Sequence, residues 1–278
     1  MQAIHRVSVL AVVVCGLVVS GPALAQNTLE NVRSTGKVSV CTEAAFEPFE
    51  FVKDGKIIGY GSDLLALVVE DLGTELTQFD LPFQGILPAL LAKKCDFVAT
   101  SYSSTPERVA KYAFTVPIAE ATMYIMKRAG DDSIKEPNDL SERIVGTQLA
   151  GAGSFVMEDF NKRMKNEGKP LADVRLYTAY PEAYTALVTG QVEAVIQILP
   201  SIQYAMAKQP DVFALGGAIG PKTWLHWVTR CQDQALRGYL NEQFLKFRDN
   251  GKMYEAQKKW LGFKTEIPSS EYLPDGAC

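Results

Sequence analysis

The segment SYSSTPER, residues 101–108, places several hydroxyl groups just ahead of an arginine. A guanidinium presents a planar fork of N–H donors that matches the two oxygens of a carboxylate. Pro106 fits the first turn of a helix and Thr105 its N-cap, and the free N–H groups of such a turn favour an anion. Arg108 is therefore a candidate carboxylate ligand. A surface ion pair with a helix acid fits the same residues.

A second candidate is AGAGS, residues 150–154, where small residues expose backbone amides ahead of a predicted helix. The segment lacks the lysine of a phosphate-binding loop, which excludes that interpretation. Three aromatic residues, Phe46, Phe49 and Phe83, follow predicted strand ends. They fit either a hydrophobic core or a platform for a ligand.

The sequence offers no arrangement for nucleophilic catalysis and no metal-site spacing. Downstream of the N-terminal segment it holds one histidine, His226, which we expect to be buried in a strand. Four cysteines, Cys41, Cys95, Cys231 and Cys278, match no zinc pattern. In an exported protein they form disulfides, and four cysteines allow three pairings. We predict no enzyme activity, no cofactor and no metal.

The N-terminal 25 residues are typical of a secretory signal peptide. The apolar run VSVLAVVVCGLVV is too short to span a bilayer comfortably and is followed by the cleavage pattern Ala23-Leu24-Ala25. We expect cleavage after Ala25. The formal net charge is −4, and loss of Arg6 with this acid-free segment leaves −5. A mildly acidic protein is a poor partner for nucleic acid.

Strands and helices alternate through the first part of the chain. KVSVCT is a strand by its period-two pattern, and FEFVKDGKIIGY is a hairpin that turns at Asp54-Gly55. Ser62 is the predicted N-cap of the helix DLLALVVEDL, which Gly73 ends. The strand ELTQFDL, the helix ILPALLAKK and the strand CDFVATS complete a βαβαβ unit. Such a unit predicts a parallel sheet covered by helices.

A second unit repeats this order, with strands RIVGTQL, VRLYTA and VEAVIQI and helices SFVMEDFNKRM and PEAYTALVTG. ALLAKKCDFVAT aligns without gaps on ALVTGQVEAVIQ, which places Asp96 on Glu193. The strand TWLHWVTR, two helices and an aperiodic tail follow. Ligands collect beyond the carboxyl ends of strands in open α/β sheets. Two facing lobes would therefore form a binding cleft there.

Several stretches resemble one known family. They are VCTEAAFEPFEFVKDGKIIGYGSDLLALV, GILPALLAKKCDFVATSYSSTPERVAKYAFTVP, IVGTQLAGAGS, YPEAYTALVTGQVEAVI and NGKMYEAQKKWLG. The sequence is similar to periplasmic solute-binding proteins of ABC transporters, in the polar amino-acid class known as family 3. The resemblance covers residues 36–262.

The resemblance implies an α/β fold of type II, with two lobes joined by two hinge segments near residues 117–124 and 224–229. It predicts lobe 1 at residues 26–117 and 229–263, lobe 2 at 118–228, and a C-terminal tail at 264–278. It also implies a monomer that resides in the periplasm and delivers its ligand to a permease in the inner membrane.

The resemblance further implies a ligand-binding set. Arg108 holds a carboxylate, Phe46 and Phe83 enclose the ligand body, and Gly153 donates a backbone amide. The remaining positions that we predict to line the site are Glu43, Ser101, Ser103, Ala152 and Gln197.

Two positions depart from the family's pattern. The acid that usually grips the ligand's α-amino group corresponds here to Ile198, and a usual hydroxyl position in the glycine loop corresponds to Ala152. The carboxylate contact is therefore retained and the amine contact is not. Either the ligand lacks an ordinary α-amino group, or Glu43 or Gln197 contacts the amine in another pose.

Two alternative functions share the fold. Cyclohexadienyl dehydratases also begin with a strand-end Cys-Thr, but the acids expected after VEAVIQILPSIQY are missing. A sensor that reports to a membrane receptor is the other alternative.

The resemblance also orients the cysteines. If the strand WLHWVTRC runs antiparallel beside CDFVATS, as the family implies, Cys231 ends near Cys95. We therefore predict a Cys95–Cys231 disulfide, with Cys41 and Cys278 free, or paired if the tail folds back.

Overall fold

The computed structural model describes residues 27–270 and 272–278. The predicted signal peptide lies outside the described residues. Within them, no helix combines the length and apolar character needed to cross a bilayer. The chain forms two large sheets flanked by helices and a small three-stranded sheet.

The first part of the chain builds most of the first large sheet and the small sheet. Its elements are α1 (Thr28–Thr35), β1 (Lys37–Thr42), β2 (Ala45–Phe46), β3 (Glu50–Lys53), β4 (Lys56–Ile58), α2 (Tyr60–Leu72), β5 (Glu75–Asp80), α3 (Phe83–Leu91), β6 (Phe97–Ser103), α4 (Pro106–Val109), β7 (Tyr112–Phe114) and β8 (Ala119–Glu120).

The middle of the chain builds the second large sheet, and the last part returns to the first. The middle elements are β9 (Met123–Arg128), a 3-10 helix (Pro137–Leu140), β10 (Ile144–Gln148), α5 (Ala152–Asn166), β11 (Asp173–Tyr177), α6 (Tyr180–Val188), β12 (Ala194–Ile198), α7 (Leu199–Lys208) and β13 (Phe213–Ile219). The returning elements are β14 (Trp224–Arg230), α8 (Gln234–Asp249) and α9 (Lys252–Leu261).

The two large sheets share one design. The first has the order β5-β1-β6-β14-β7 and the second the order β11-β10-β12-β9-β13. In each, three strands are parallel, and an antiparallel strand lies beside the third. That antiparallel strand is β14 in the first sheet and β9 in the second. The predicted βαβαβ units are therefore confirmed.

Equivalent hydrogen bonds support the internal repeat. Asp96 donates its amide to the carbonyl of Ser39 over 2.9 Å, and its carboxylate accepts from the Ser39 amide over 2.8 Å. Glu193 makes the same two bonds with the backbone of Ile144, at 2.8 and 3.0 Å. In both lobes an acid ahead of the third strand thus fixes the first strand beside it.

The hydrophobic core joins the returning chain to the first sheet. Trp227 of β14 is fully buried and stacks on Phe97 of β6, with ring centroids 5.6 Å apart. Its edge contacts Phe244 of α8 at 4.9 Å. The last part of the chain therefore completes the first lobe.

The predicted turn and helix ends are mostly confirmed, with one correction. The hairpin of β3 and β4 turns at Asp54 and Gly55, and α2 ends at Gly73. Ser62 is not the N-cap of α2, because that helix begins earlier, after Gly59. A Cβ at Gly59 would lie 2.2 Å from the carbonyl oxygen of Phe49, so only glycine permits this close approach.

Eight elements were not predicted: α1, β2, β7, β8, β9, the 3-10 helix, α7 and β13. No element was predicted for residues 199–208, yet Pro200 stands in the first turn of α7, where proline is tolerated. A glycine pair and a register shift between Leu215 and Ala218 interrupt the strand pattern of β13.

The chain leaves the first sheet after β8 and returns to it with β14. The predicted second lobe at residues 118–228 would include the start of β14, yet all of β14 lies in the first sheet. Sheet membership therefore places the return crossing earlier, at residues 220–223, between the end of β13 and the start of β14. The lobe limits themselves remain a proposal.

The predicted Cys95–Cys231 disulfide is wrong. Cys95 bonds to Cys41, with Cα atoms 5.7 Å apart, and Cys231 bonds to Cys278, with Cα atoms 5.6 Å apart. The strand β14 does run antiparallel beside β6. However, Arg230 at its end donates a hydrogen bond to the carbonyl of Cys95 over 2.9 Å, and the chain turns away from the sheet at Cys231.

The C-terminal tail folds back onto the first lobe. The amide of Cys278 donates to the carbonyl of Val109 over 3.1 Å, and Arg237 of α8 donates to the carbonyl of Cys278 over 2.8 Å. This is the arrangement that lets Cys278 reach Cys231.

We predict that replacing Cys231 and Cys278 together with serine lowers the free energy of unfolding by about 2–4 kcal/mol, because the unfolded chain gains the freedom of an open loop. Urea unfolding of the variant and the parent protein measures this change. Non-reducing peptide mapping is the control. A peptide linking Cys95 to Cys231 would contradict the pairing.

Candidate functional site

The predicted site residues meet between the two large sheets, at the carboxyl ends of β1, β6, β10 and β12. They surround a narrow cavity of about 20 Å³. Its lining residues are Glu43, Phe46, Phe83, Ser101, Ser103, Arg108, Met123, Gln148, Gly151, Ala152, Tyr180, Gln197, Ile198 and Leu225. The lobes are therefore closed on one another at this place.

Eight of the nine predicted ligand-binding positions line this cavity, and Gly153 does not. Gly153 lies one residue further along α5 than Ala152 and packs on β10. A Cβ there would lie 2.2 Å from the hydroxyl oxygen of Thr147, so glycine is required for packing. The binding roles of all nine positions remain predictions.

Arg108 is buried between the lobes with a guanidinium that has no acidic partner among the described residues. It donates to the carbonyl of Ser103 over 2.8 Å and, across the cleft, to the carbonyl of Ala150. Its charged group lies 4.9 Å from the ring centre of Tyr102 and 5.5 Å from that of Phe155. Burial lowers the pKa of Arg108, yet an arginine side chain stays charged. An anion would be a strong ligand for it.

Glu43 follows β1 and is 3% exposed. Its carboxyl oxygen accepts a hydrogen bond from the side-chain amide of Gln148, which belongs to the other lobe. Burial raises the pKa of Glu43 to about 8, and the nearby charge of Asp80 adds to that rise. Glu43 and Gln148 thus form a polar contact that exists only when the lobes are closed.

Aromatic rings enclose the cavity on two sides. Phe83 begins α3 and stacks on Tyr102 at 4.3 Å. Phe46 stacks on Phe49 at 5.0 Å and, across the cleft, on Tyr180 at 5.9 Å. These rings provide flat apolar walls for a ligand body.

The wall formed by β12 is apolar at the position where an acid was expected. Ile198 is buried there, beside Met123 and Leu225. Gln197 lines the cavity, but its amide donates to the hydroxyl of Tyr184 over 3.0 Å, and its carbonyl oxygen accepts from the amide of Ile198 over 2.7 Å. Both groups of the Gln197 amide are thus engaged within the second lobe. Neither Gln197 nor Ile198 offers a charged acceptor to an amine.

Further contacts hold the lobes together outside the cavity. The hydroxyl of Ser201 donates to the carbonyl of Glu47 over 2.7 Å, and Lys208 forms an ion pair with the Glu47 carboxylate at 3.0 Å. The ring of Phe51 lies 5.9 Å from that of Tyr204. The helix α7 is therefore a second zone of contact between the lobes.

Sequence reasoning missed Gln148, the last residue of β10, and Tyr180, which lies shortly after the end of β11. The rule that ligands collect at carboxyl strand ends could have identified both. It also missed Glu50, which is fully buried and accepts from the hydroxyl of Ser101 over 3.0 Å. Burial raises the pKa of Glu50 well above its ordinary value. The hydroxyl of Ser101 is therefore already engaged in the first lobe.

Comparison with known proteins identifies the family. The profile of bacterial extracellular solute-binding proteins, family 3, matches residues 38–263. The chain belongs to this family. Its two-lobed α/β fold, its class as an amino-acid-binding solute-binding protein and the association with ABC transport follow from that membership.

Individual relatives differ in their ligands. A probable histidine-binding protein of Campylobacter jejuni is 27% identical over 67% of this chain and 69% of its own length. The L-cystine-binding protein TcyJ of Escherichia coli is 25% identical over 85% of this chain and 87% of its own. The crystal structure of an ancestral amino acid-binding protein, a precursor of cyclohexadienyl dehydratase, aligns with a TM-score of 0.76 at 26% identity over 84% of this chain and 99% of its own.

We predict that closure of the lobes takes up a proton at Glu43. The pKa of Glu43 in the closed form is raised to about 8, so protonation of this carboxyl favours closure. This contribution is fully present below the ordinary pKa of about 4.5 and is lost as the pH rises through 8. The closing equilibrium constant should fall by up to about tenfold per pH unit between roughly pH 5 and 8. Fluorescence energy transfer between dyes on the two lobes measures it.

Glu43→Gln should abolish this pH dependence. The matched control is Glu47→Gln, which removes another carboxylate from the same segment and should preserve the slope. A slope that persists in Glu43→Gln would contradict the assignment to Glu43.

Proposed function

We propose that the protein is a periplasmic binding protein that captures a small carboxylate-bearing solute between its lobes and delivers it to an ABC importer. The observation that carries this proposal is the buried guanidinium of Arg108 with no acidic partner among the described residues. Burying a charge without a counter-charge is costly, and a ligand carboxylate would remove that cost. The family's association with amino acids and transport supports the same conclusion.

The ligand is an amino-acid-like compound without a conventional charged α-amino group. Ile198 and its neighbours give an ammonium group no acceptor, and Gln197 is already bonded to its own lobe. Glu43 is the one carboxylate that lines the cavity among the described residues, and its raised pKa makes it a weak partner for a cation near neutral pH.

The ligand moves the equilibrium between open and closed forms. Arg108 lies in the first lobe and donates to the carbonyl of Ala150 across the cleft, so its side chain contacts both lobes when they are closed. A carboxylate held by Arg108 in the first lobe would also meet the first turn of α5 in the second, where backbone N–H groups are free. Binding therefore favours closure by adding contacts that the open form lacks.

We predict that Arg108→Ala weakens binding by about 2–5 kcal/mol, because it removes the only buried positive charge among the described residues that line the cavity. A thermal-shift screen of amino acids, amines, opines and organic acids first selects the tightest compound, and calorimetry then measures its affinity for each variant.

Two variants control this measurement. Arg108→Lys keeps the charge but loses the two-pronged geometry, and should recover only part of the affinity. Arg143→Ala removes a guanidinium that pairs with Glu193 at the opposite end of β10, and should leave binding unchanged. Unchanged affinity in Arg108→Ala would overturn the proposed role.

A dehydratase activity is the second candidate, and Glu43 is the observation that favours it. A carboxyl group with a pKa near 8 inside a closed cleft can act as a general acid. Incubation with prephenate or arogenate, followed by chromatography of the products, tests this activity. Product formation that Glu43→Gln abolishes would establish the enzyme in place of the binding protein.

A further inference from the structure

A groove of about 470 Å³ opens directly beside the narrow cavity. It runs between residues 103–107, one face of α5 and residues 218–223. Three residues, Ser103, Met123 and Ala152, line both the groove and the cavity. The groove therefore continues the candidate ligand site beyond Arg108.

The walls of this groove are mostly apolar. Phe155 and Val156 of α5 are half-buried, and Phe160 and Ile219 are buried. Charged residues lie at its rim, where Asp159 is exposed and Arg163 pairs with Glu167 of its own helix at 2.8 Å. The inner part of the groove thus suits an uncharged chain, because the charged side chains that line the groove face solvent.

The junction between groove and cavity also has an unused polar group. Thr105 lines the groove and caps α4 by position, yet its buried hydroxyl oxygen has no hydrogen-bond partner among the described residues. A buried hydroxyl without a partner carries a free-energy cost that a neutral donor or acceptor on a ligand would remove.

The path from Arg108 into the groove crosses the apolar wall described above. Met123 stands at the junction and Ile198 beside it in the cavity. A charged ammonium on this path would lose its hydration without gaining a counter-charge. A neutral amide loses far less and can bond to a hydroxyl.

We infer that the ligand is an N-acylated amino acid, with its carboxylate on Arg108 and its acyl chain in this groove. The inference rests on the proposed function, since it assumes that Arg108 binds a carboxylate. It explains together the missing amine contact, the apolar junction and the space beside it. The narrow cavity of about 20 Å³ is too small for an amino-acid side chain and backbone without rearrangement, whereas the groove falls within the size range of ligand sites.

The experiment compares each common L-amino acid in three forms: free, N-acetylated and N-hexanoylated. Titration calorimetry gives a Kd for each compound. Each fully buried methylene raises affinity about fourfold. For the preferred side chain we therefore expect the N-hexanoyl form to bind at least about tenfold more tightly than the N-acetyl form, and the free amino acid to bind most weakly.

A matched pair of variants locates the acyl chain. Ala218 is exposed on β13 and lines the groove, whereas Leu215 is exposed on the same strand outside it. Ala218→Trp should fill the groove and weaken N-hexanoyl binding at least about tenfold while leaving N-acetyl binding unchanged. Leu215→Trp should change neither affinity. Circular dichroism establishes that both variants are folded.

The outcomes separate this inference from the proposed function. If free amino acids bind most tightly and Arg108→Ala weakens them, the proposed function stands and the N-acyl inference is overturned. If N-hexanoyl compounds bind but Ala218→Trp has no effect, the placement in the groove is overturned. If no N-hexanoyl compound binds, the inference is likewise overturned. If Arg108→Ala leaves all affinities unchanged, the proposed function is overturned.

Discussion

The closed site depends on the buried positive charge of Arg108, which has no acidic partner among the described residues. Arg108 is enclosed by aromatic rings and two backbone carbonyls, and one of those carbonyls belongs to the opposite lobe. The other buried arginine among the described residues, Arg230, pairs with Asp233 at 2.6 Å. The closed arrangement therefore holds an uncompensated charge at its centre, and a ligand anion is the natural means of compensating it. In the proposed function, recognition and closure are one event, because the same guanidinium would serve both.

The two large sheets, one from each lobe, position side chains around Arg108. The first strands of the two sheets end just before Glu43 and at Gln148. The matching acids Asp96 and Glu193 fix those strands at the other end of each sheet. Because the two sheets share one strand order, their carboxyl ends can face each other across a cleft. The disulfide between Cys41 and Cys95 ties the first strand of the first sheet to the turn ahead of the third. The first lobe thus positions Arg108, and the second lobe contacts it through the carbonyl of Ala150.

Local sequence patterns predicted the parallel strands of both large sheets, most helices and the position of Arg108, since each depends on periodicity or on short-range turn chemistry. Patterns failed where tertiary packing decides. The true start of α2 at Gly59 depends on a contact with Phe49, and the strand β13 contains a glycine pair that breaks its alternation. The cysteine pairing failed for a related reason, because the turn at Cys231 follows from the hydrogen bonds of Arg230 and has no signal of its own. In the site, positions that follow strand ends were predictable, whereas Glu50, buried beneath Ser101, depends on side-chain packing alone.

The charges that line the closed site favour one class of ligand. Near neutral pH, Arg108 contributes a positive charge, and the carboxyl of Glu43, whose pKa burial raises to about 8, is mostly protonated. The site is then positive overall and fits a ligand with one negative charge. An ordinary amino acid is neutral overall and would place its ammonium group against Ile198. Glu43 could bind that group only after losing its proton, and burial disfavours the deprotonated form. A ligand whose nitrogen is an amide needs no such proton release. The absence of the expected acid and the raised pKa of Glu43 thus have a common explanation: the ligand carries one negative charge, which Arg108 binds, and its other groups are neutral.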